Sequence, residues 1–226
     1  MAGFVFAPPP PVSIAIDGRA ERFAVRRIFC VGRNYAEHAR EMGHDPAAEP
    51  PFFFTKPADA VVESGAQIPY PLATTDLHHE AELVVAIGRA GVAVPPAEAL
   101  ALVFGYTAGN DLTRRDLQAA AKAARRPWDM AKGFDQSAVI GAIRQGAEVP
   151  QGRIRCSVGR RVTQDAALSE MIWPVPDIIA HLSRLVALAP GDLIMTGTPA
   201  GVGPIARGQT CTVEIDGLSP ASVTVN

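Results

Sequence analysis

Asp76-Leu77-His78-His79-Glu80-Ala81-Glu82-Leu83-Val84-Val85-Ala86-Ile87-Gly88 is the stretch on which the reading of this chain turns. Residues 83–87 form a mostly β-branched apolar run closed by a glycine, the pattern of a buried strand. Glu80 and Glu82 enter that strand two residues apart. Strand side chains alternate faces, so both carboxylates point to the same side. Side by side at a buried strand end, they repel each other and lose hydration. A cation, a nearby Lys or Arg, or protonation of one carboxylate must compensate.

Working outward, strands are expected over 12–16 and 20–25 (a hairpin across Asp17-Gly18), 27–32, 51–56, 102–109, 138–141, 153–159, 161–163 and 191–196, with a closing hairpin of 210–215 and 222–225. Residues 1–26 read as a proline-stiffened lead-in plus the first hairpin. Residues 65–72 read as a turn-rich connection. The clearest amphipathic helix is 175–187, with Ile178, Ile179, Leu182, Leu185 and Val186 on one side. Asn34 with Glu37 predicts the capped start of a short helix ending at Gly43, and residues 33–50 look like a mobile lid. Thr113 with Asp116 predicts the cap of a helix running through Ala124.

At 226 residues the chain is long enough for a substantial core, and 48% hydrophobic against 19% charged residues excludes a disordered chain. A net charge of −2 without a basic run argues against a nucleic-acid binder. No apolar stretch reaches membrane-span length, and the N-terminus is a poor signal peptide. Cys30, Cys156 and Cys211 are odd in number and far apart, which fits reduced thiols and a cytoplasmic location.

Asp111 stands at a strand end just before a helix start, so helix capping and metal ligation are both open to it. With Glu80 and Glu82 it makes an all-carboxylate set suited to a hard cation, Mg²⁺, Mn²⁺ or Ca²⁺. Alternation puts His78 on the same face, so it stays a possible ligand. His38 and Glu41 lie at i and i+3 and share a helix face, as a solvated pair or as catalytic groups. Lys56 at a strand end reads by default as a solvent-exposed lysine; Lys132 in the loop 128–135 has small neighbours, Ala131 and Gly133, that let a ligand or another backbone approach, with an ordinary exposed lysine as the alternative. The Gly/Thr/Pro loop 196–204 fits neither standard phosphate-binding fingerprint, and its glycines serve either tight turns or an anion.

Five motifs carry a resemblance: Val31-Gly-Arg-Asn-Tyr-Ala-Glu-His, His78-His-Glu-Ala-Glu-Leu, the run from Gly105 to Gln118, Ala131-Lys-Gly-Phe-Asp, and the run from Pro190 to Gly203. In order and spacing the chain resembles the fumarylacetoacetate hydrolase family. The resemblance implies an α+β, mainly β fold: a mixed β-sandwich roll with flanking helices, one catalytic domain over 1–226, and a homodimer. It implies Glu80, Glu82 and Asp111 as ligands of Mg²⁺ or Mn²⁺. His38 and Glu41 become a catalytic pair on the lid, joined by Lys132, while Arg115, Gln118 and Thr198 fall at substrate-contacting positions. Arg114, adjacent to Arg115, competes for that assignment. Backbone amides near Gly197 and Thr198 are expected to grip a carboxylate, and Arg33, Arg114 or Arg115 to read a distal one. The implied reaction is hydrolytic C–C cleavage of a small-molecule 2,4-diketo acid, with 3-fumarylpyruvate the expected substrate. Oxaloacetate decarboxylation, hydroxymuconate isomerisation and a non-catalytic cation-binding protein are the alternatives.

Overall fold

The computed structural model describes residues 3–41 and 50–226, with the side chains of Ala39 and Glu41 outside the description. The expected lid residues 42–49 and the Glu41 carboxylate therefore lie outside the described residues. In chain order the strands are β1 (Ser13–Ala15), β2 (Arg22–Ala24), β3 (Arg27–Gly32), β4 (Phe52–Lys56), β5 (Val61–Glu63), β6 (Ala66–Ile68), β7 (Leu77–His79), β8 (Ala81–Ile87), β9 (Val103–Asp111), β10 (Thr113–Arg114), β11 (Ala138–Ile140), β12 (Arg144–Gln145), β13 (Arg153–Val158), β14 (Arg161–Ala167), β15 (Asp192–Met195), β16 (Gly203–Pro204), β17 (Thr210–Ile215) and β18 (Ala221–Val225). The α-helices are α1 (Ala36–Glu41), α2 (Pro96–Ala99), α3 (Arg115–Ala123), α4 (Asp129–Lys132) and α5 (Val175–Leu185).

One mixed sheet runs β4-β3-β15-β8-β9-β11-β5, with β12 also paired to β9; a second runs β14-β13-β17-β18-β6. The β15–β3, β11–β5 and β18–β6 pairs are parallel and the others in these sheets antiparallel. A short sheet, β10-β7-β16, adjoins the start of β8.

β8 is buried at every position because it separates two cores. Ala81, Leu83, Val85 and Ile87 pack with Ile154, Val213 and Val223 of the second sheet and with Ile178, Ile179 and Leu182 of α5. Val84 and Ala86 pack the opposite way, against Ile28, Cys30, Leu193 and Met195. A strand covered on both faces has no reason to alternate with polar residues, which explains the apolar run. Each fully buried Leu, Val or Ile there contributes about 1.5–3 kcal/mol. Gly109 of β9 faces Glu82, and a Cβ on it would come 2.5 Å from Val84 Cγ2, so only glycine lets the two strands close here.

Local cap signals fail where tertiary contacts claim the same atoms. Thr113 does not cap α3; it pairs with His78 across β7–β10, and its hydroxyl donates to the Asp111 carbonyl at 3.0 Å. The cap position is Arg114, and Asp116 instead accepts from the Thr74 hydroxyl and the Thr75 amide. Asn34 is fully buried and stitches distant segments, donating to the Trp173 and Thr196 carbonyls and accepting from the Trp173 amide. The turn-rich connection 65–72 holds β6, and the loop 128–135 holds the single turn α4. The three cysteines are free and buried.

Candidate active site

The antiparallel β8–β9 register builds the carboxylate cluster. It sets Ala81 opposite Asn110 and Glu82 opposite Gly109, and the Asp111 amide donates to the Glu80 carbonyl at 2.9 Å. One oxygen from each of Glu80, Glu82 and Asp111 then lies within 4.8 Å of the others, all three residues being buried. Asp111 is thus drawn into the cluster rather than used as a helix cap. His78 stays outside it, its ring held by Asp76 at 2.9 Å and by Arg115 at 3.4 Å. His79 points instead to Gln164.

Cations ring the cluster. Lys132 is 2% exposed, and its ammonium donates to Glu80 Oε2 at 2.6 Å and to Asp111 Oδ2 at 2.7 Å. The exposed alternative for this lysine is overturned: α4 turns it inward, 5.1 Å above the Phe54 ring. Lys56 is overturned in the same way. It is buried, 2.7 Å from Asp111 Oδ1, and it donates to the Leu112 and Lys132 carbonyls. Lys56 shares its strand face with Phe54, which lines the cavity.

α3 contributes Arg115, Gln118 and Lys122 to the same cavity, residues spaced i, i+3 and i+7 on one face. Arg115 donates to Glu80 Oε1 and to Gln118 Oε1, both at 2.6 Å. Arg114 turns away to the Leu72 and Met130 carbonyls and the Phe134 ring, so of the two arginines Arg115 is the one in the cavity. Arg33, Thr198 and buried His38 also line it. The Gly197 amide is committed to Glu82 Oε2 at 2.8 Å, and Thr198 accepts from Gln164 at 2.8 Å. Gly197 therefore orients a carboxylate of the protein itself.

Burial works against charge on both glutamates, and their neighbours split them. Lys132 and Arg115 overcome burial at Glu80 and hold its carboxyl well below the usual range. At Glu82, burial and the Asp111 and Glu80 charges push the carboxyl well above it, against Lys132 and the Gly197 amide. Burial lowers the Lys132 ammonium, but Asp111 and Glu80 more than reverse that. Three buried carboxylates converging as an all-oxygen donor set fit a hard divalent cation, and Glu80, Glu82 and Asp111 would hold it.

Three comparisons bear on this site. Residues 27–226 match the family model described as fumarylacetoacetate (FAA) hydrolase C-terminal. A fumarylpyruvate hydrolase from Ralstonia sp. is 43% identical over 183 residues, 80% of this chain and 95% of the relative. A mitochondrial oxaloacetate decarboxylase from Dictyostelium discoideum is 40% identical over 202 residues, 85% of this chain and 90% of the relative. The crystal structure of fumarylpyruvate hydrolase from Pseudomonas aeruginosa in complex with Mn²⁺ and pyruvate superposes with a TM-score of 0.96 at 46% identity, covering 99% of both chains. The expected mainly β fold is therefore the observed one, and the chain belongs to the fumarylacetoacetate hydrolase family.

Proposed function

We propose that this chain is a metal-dependent hydrolase that cleaves the C3–C4 bond of a 2,4-diketo acid, with 3-fumarylpyruvate as substrate and fumarate and pyruvate as products. The observation that carries the hydrolytic reading is His38, 7% exposed and lining the same cavity as the carboxylate cluster. A buried imidazole beside a cation site is suited to taking a proton from water. The likeness to the P. aeruginosa enzyme supports the substrate.

Glu80, Glu82 and Asp111 would hold a divalent ion, which would supply Lewis-acid charge for the 2-oxo acid end of the substrate. Arg115 and Gln118 orient that end from α3. His38 removes a proton from water, and the resulting hydroxide adds to C4. Collapse of the adduct breaks C3–C4 and leaves its electron pair on the pyruvate enolate. The Lys132 ammonium, fixed between Glu80 and Asp111, places positive charge beside that enolate. The proton held on His38 returns to C3, which completes pyruvate.

Oxaloacetate carries the same 2-oxo acid head, and the D. discoideum relative makes its decarboxylation the second reading. The test supplies metal-loaded protein with 3-fumarylpyruvate or oxaloacetate separately and measures fumarate, pyruvate and CO₂. Equimolar fumarate and pyruvate from the diketo acid is the expected result. Turnover of oxaloacetate alone would overturn the proposal.

A further inference from the structure

The far side of the cavity has features that the head-group chemistry leaves unused. Lys122, in the last turn of α3, lines the cavity seven residues beyond Arg115 and is half-buried. Its ammonium sits 5.2 Å from the centre of the Trp128 ring, and among the described residues no carboxylate forms an ion pair with it. Arg33 lines the same side with its guanidinium 5.3 Å from the centre of the Phe52 ring, and its backbone is in the left-handed region at φ 60°. A non-glycine residue held there is an uncommon conformation that the surroundings must enforce. Phe52 and Trp128 meet edge to face at 5.5 Å, so the two cations stand over adjoining rings.

The position of Lys122 is costly without an anion. Burial, then the Arg115 and Arg33 charges, lower the Lys122 ammonium from its usual range. A carboxylate reaching this point would relieve both the desolvation and the repulsion. The spacing also selects length. Seven residues at 1.5 Å each separate Arg115 and Lys122 by roughly 10 Å along the helix axis. Arg115 is committed to Glu80 and Gln118, whereas Lys122 stands about two turns further along α3, over Trp128.

We propose that Lys122, seconded by Arg33, is a specificity-determining anion site that selects 2-oxo acids bearing a second carboxylate beyond the reacting carbonyl. The inference rests on the proposed diketo-acid reading for the identity of the head group. It then discriminates a dicarboxylate such as the fumaryl substrate both from neutral acylpyruvates and from oxaloacetate, whose carboxylates are too close to span the site.

The test is calorimetry on Mg²⁺-loaded protein with two uncleavable seven-carbon ligands, 2-oxoheptanedioate and 2-oxoheptanoate. Wild type should prefer the diacid by roughly tenfold or more, the scale of one charge-assisted hydrogen bond. Lys122→Met should bring that ratio close to one with monoacid affinity unchanged, Lys122→Arg should retain it, and Arg33→Gln should reduce it. An unchanged ratio in Lys122→Met, or an equal loss for both ligands, would overturn the inference. Diacid preference without any cleavage of fumarylpyruvate would uphold it while removing the proposed hydrolysis. Cleavage with an unchanged ratio in Lys122→Met would do the reverse.

Discussion

Lys56→Met keeps the length of the side chain and removes its charge. In the folded protein that ammonium lies 2.7 Å from Asp111 Oδ1, with neither side chain exposed, and it donates to the Leu112 carbonyl at 3.1 Å. It also stands 5.5 Å from the centre of the Phe134 ring. Removing one partner of a buried pair costs about 3–5 kcal/mol, because the surviving charge is left desolvated. Lys132 still holds Asp111 Oδ2 at 2.7 Å, which places the cost in the lower half of that range. A chain of this size loses about 2–4 °C of melting temperature per kcal/mol, so the metal-free variant should melt roughly 6–16 °C below wild type. Metal at a hundredfold excess over Kd contributes about 2.7 kcal/mol to a protein that binds it only when folded. Asp111, short of one cation, should take up the ion more readily, so saturating Mn²⁺ should narrow the gap between variant and wild type. Calorimetric melting of both proteins with and without Mn²⁺ reads this directly. A metal-free variant within about 2 °C of wild type would show that the Lys56–Asp111 pair does not hold the site together.

Two further predictions concern the carboxylates. Gly197 has φ 96°, and a Cβ there would come 2.7 Å from Asn34 Cβ, so Gly197→Ala must displace the amide that donates to Glu82. A loss of about 1–3 kcal/mol in denaturant unfolding, with weaker Mn²⁺ binding by titration, is expected; unchanged metal affinity would show that this amide does not orient Glu82. Glu82 has its folded-state pKa raised by burial and by Asp111 and Glu80, so the folded state keeps a proton where the unfolded chain has released it. That contribution to stability is complete below the unfolded-state value and is lost as pH rises through the raised one. Metal-free protein should therefore melt lower as pH increases across that window, and Mn²⁺-loaded protein should not. Parallel pH profiles with and without Mn²⁺ would contradict this.

The strand framework was legible because its signals are local. The run 83–87 announces a buried strand, and Asp17-Gly18 a turn between two paired strands, although the pairing stops at Ala15–Arg22 and leaves a longer connection than the expected strands imply. The carboxylate pair was legible for the same reason, since alternation alone puts Glu80 and Glu82 on one face. What failed were inferences that a distant partner could reverse. Thr113 and Asn34 have the chemistry of caps, but strand pairing in one case and the segments at 173 and 196 in the other claim their polar atoms. Lys56 and Lys132 look like ordinary surface lysines until β4 and α4 are brought against the end of β9, 55 and 21 residues from Asp111 in sequence. Lys122 carries no sequence signal of its own. Its role emerges only once α3 is placed with one face over Trp128.

In the proposed reaction His38 activates water beside the cation site of Glu80, Glu82 and Asp111. The most direct measurement is the rate of pyruvate and fumarate release from 3-fumarylpyruvate by Mn²⁺-loaded wild type and His38→Ala, with metal content determined on the same samples. Loss of a general base predicts a fall in kcat of roughly 10²–10⁴ with metal content unchanged. Equal rates at equal metal content would contradict the account.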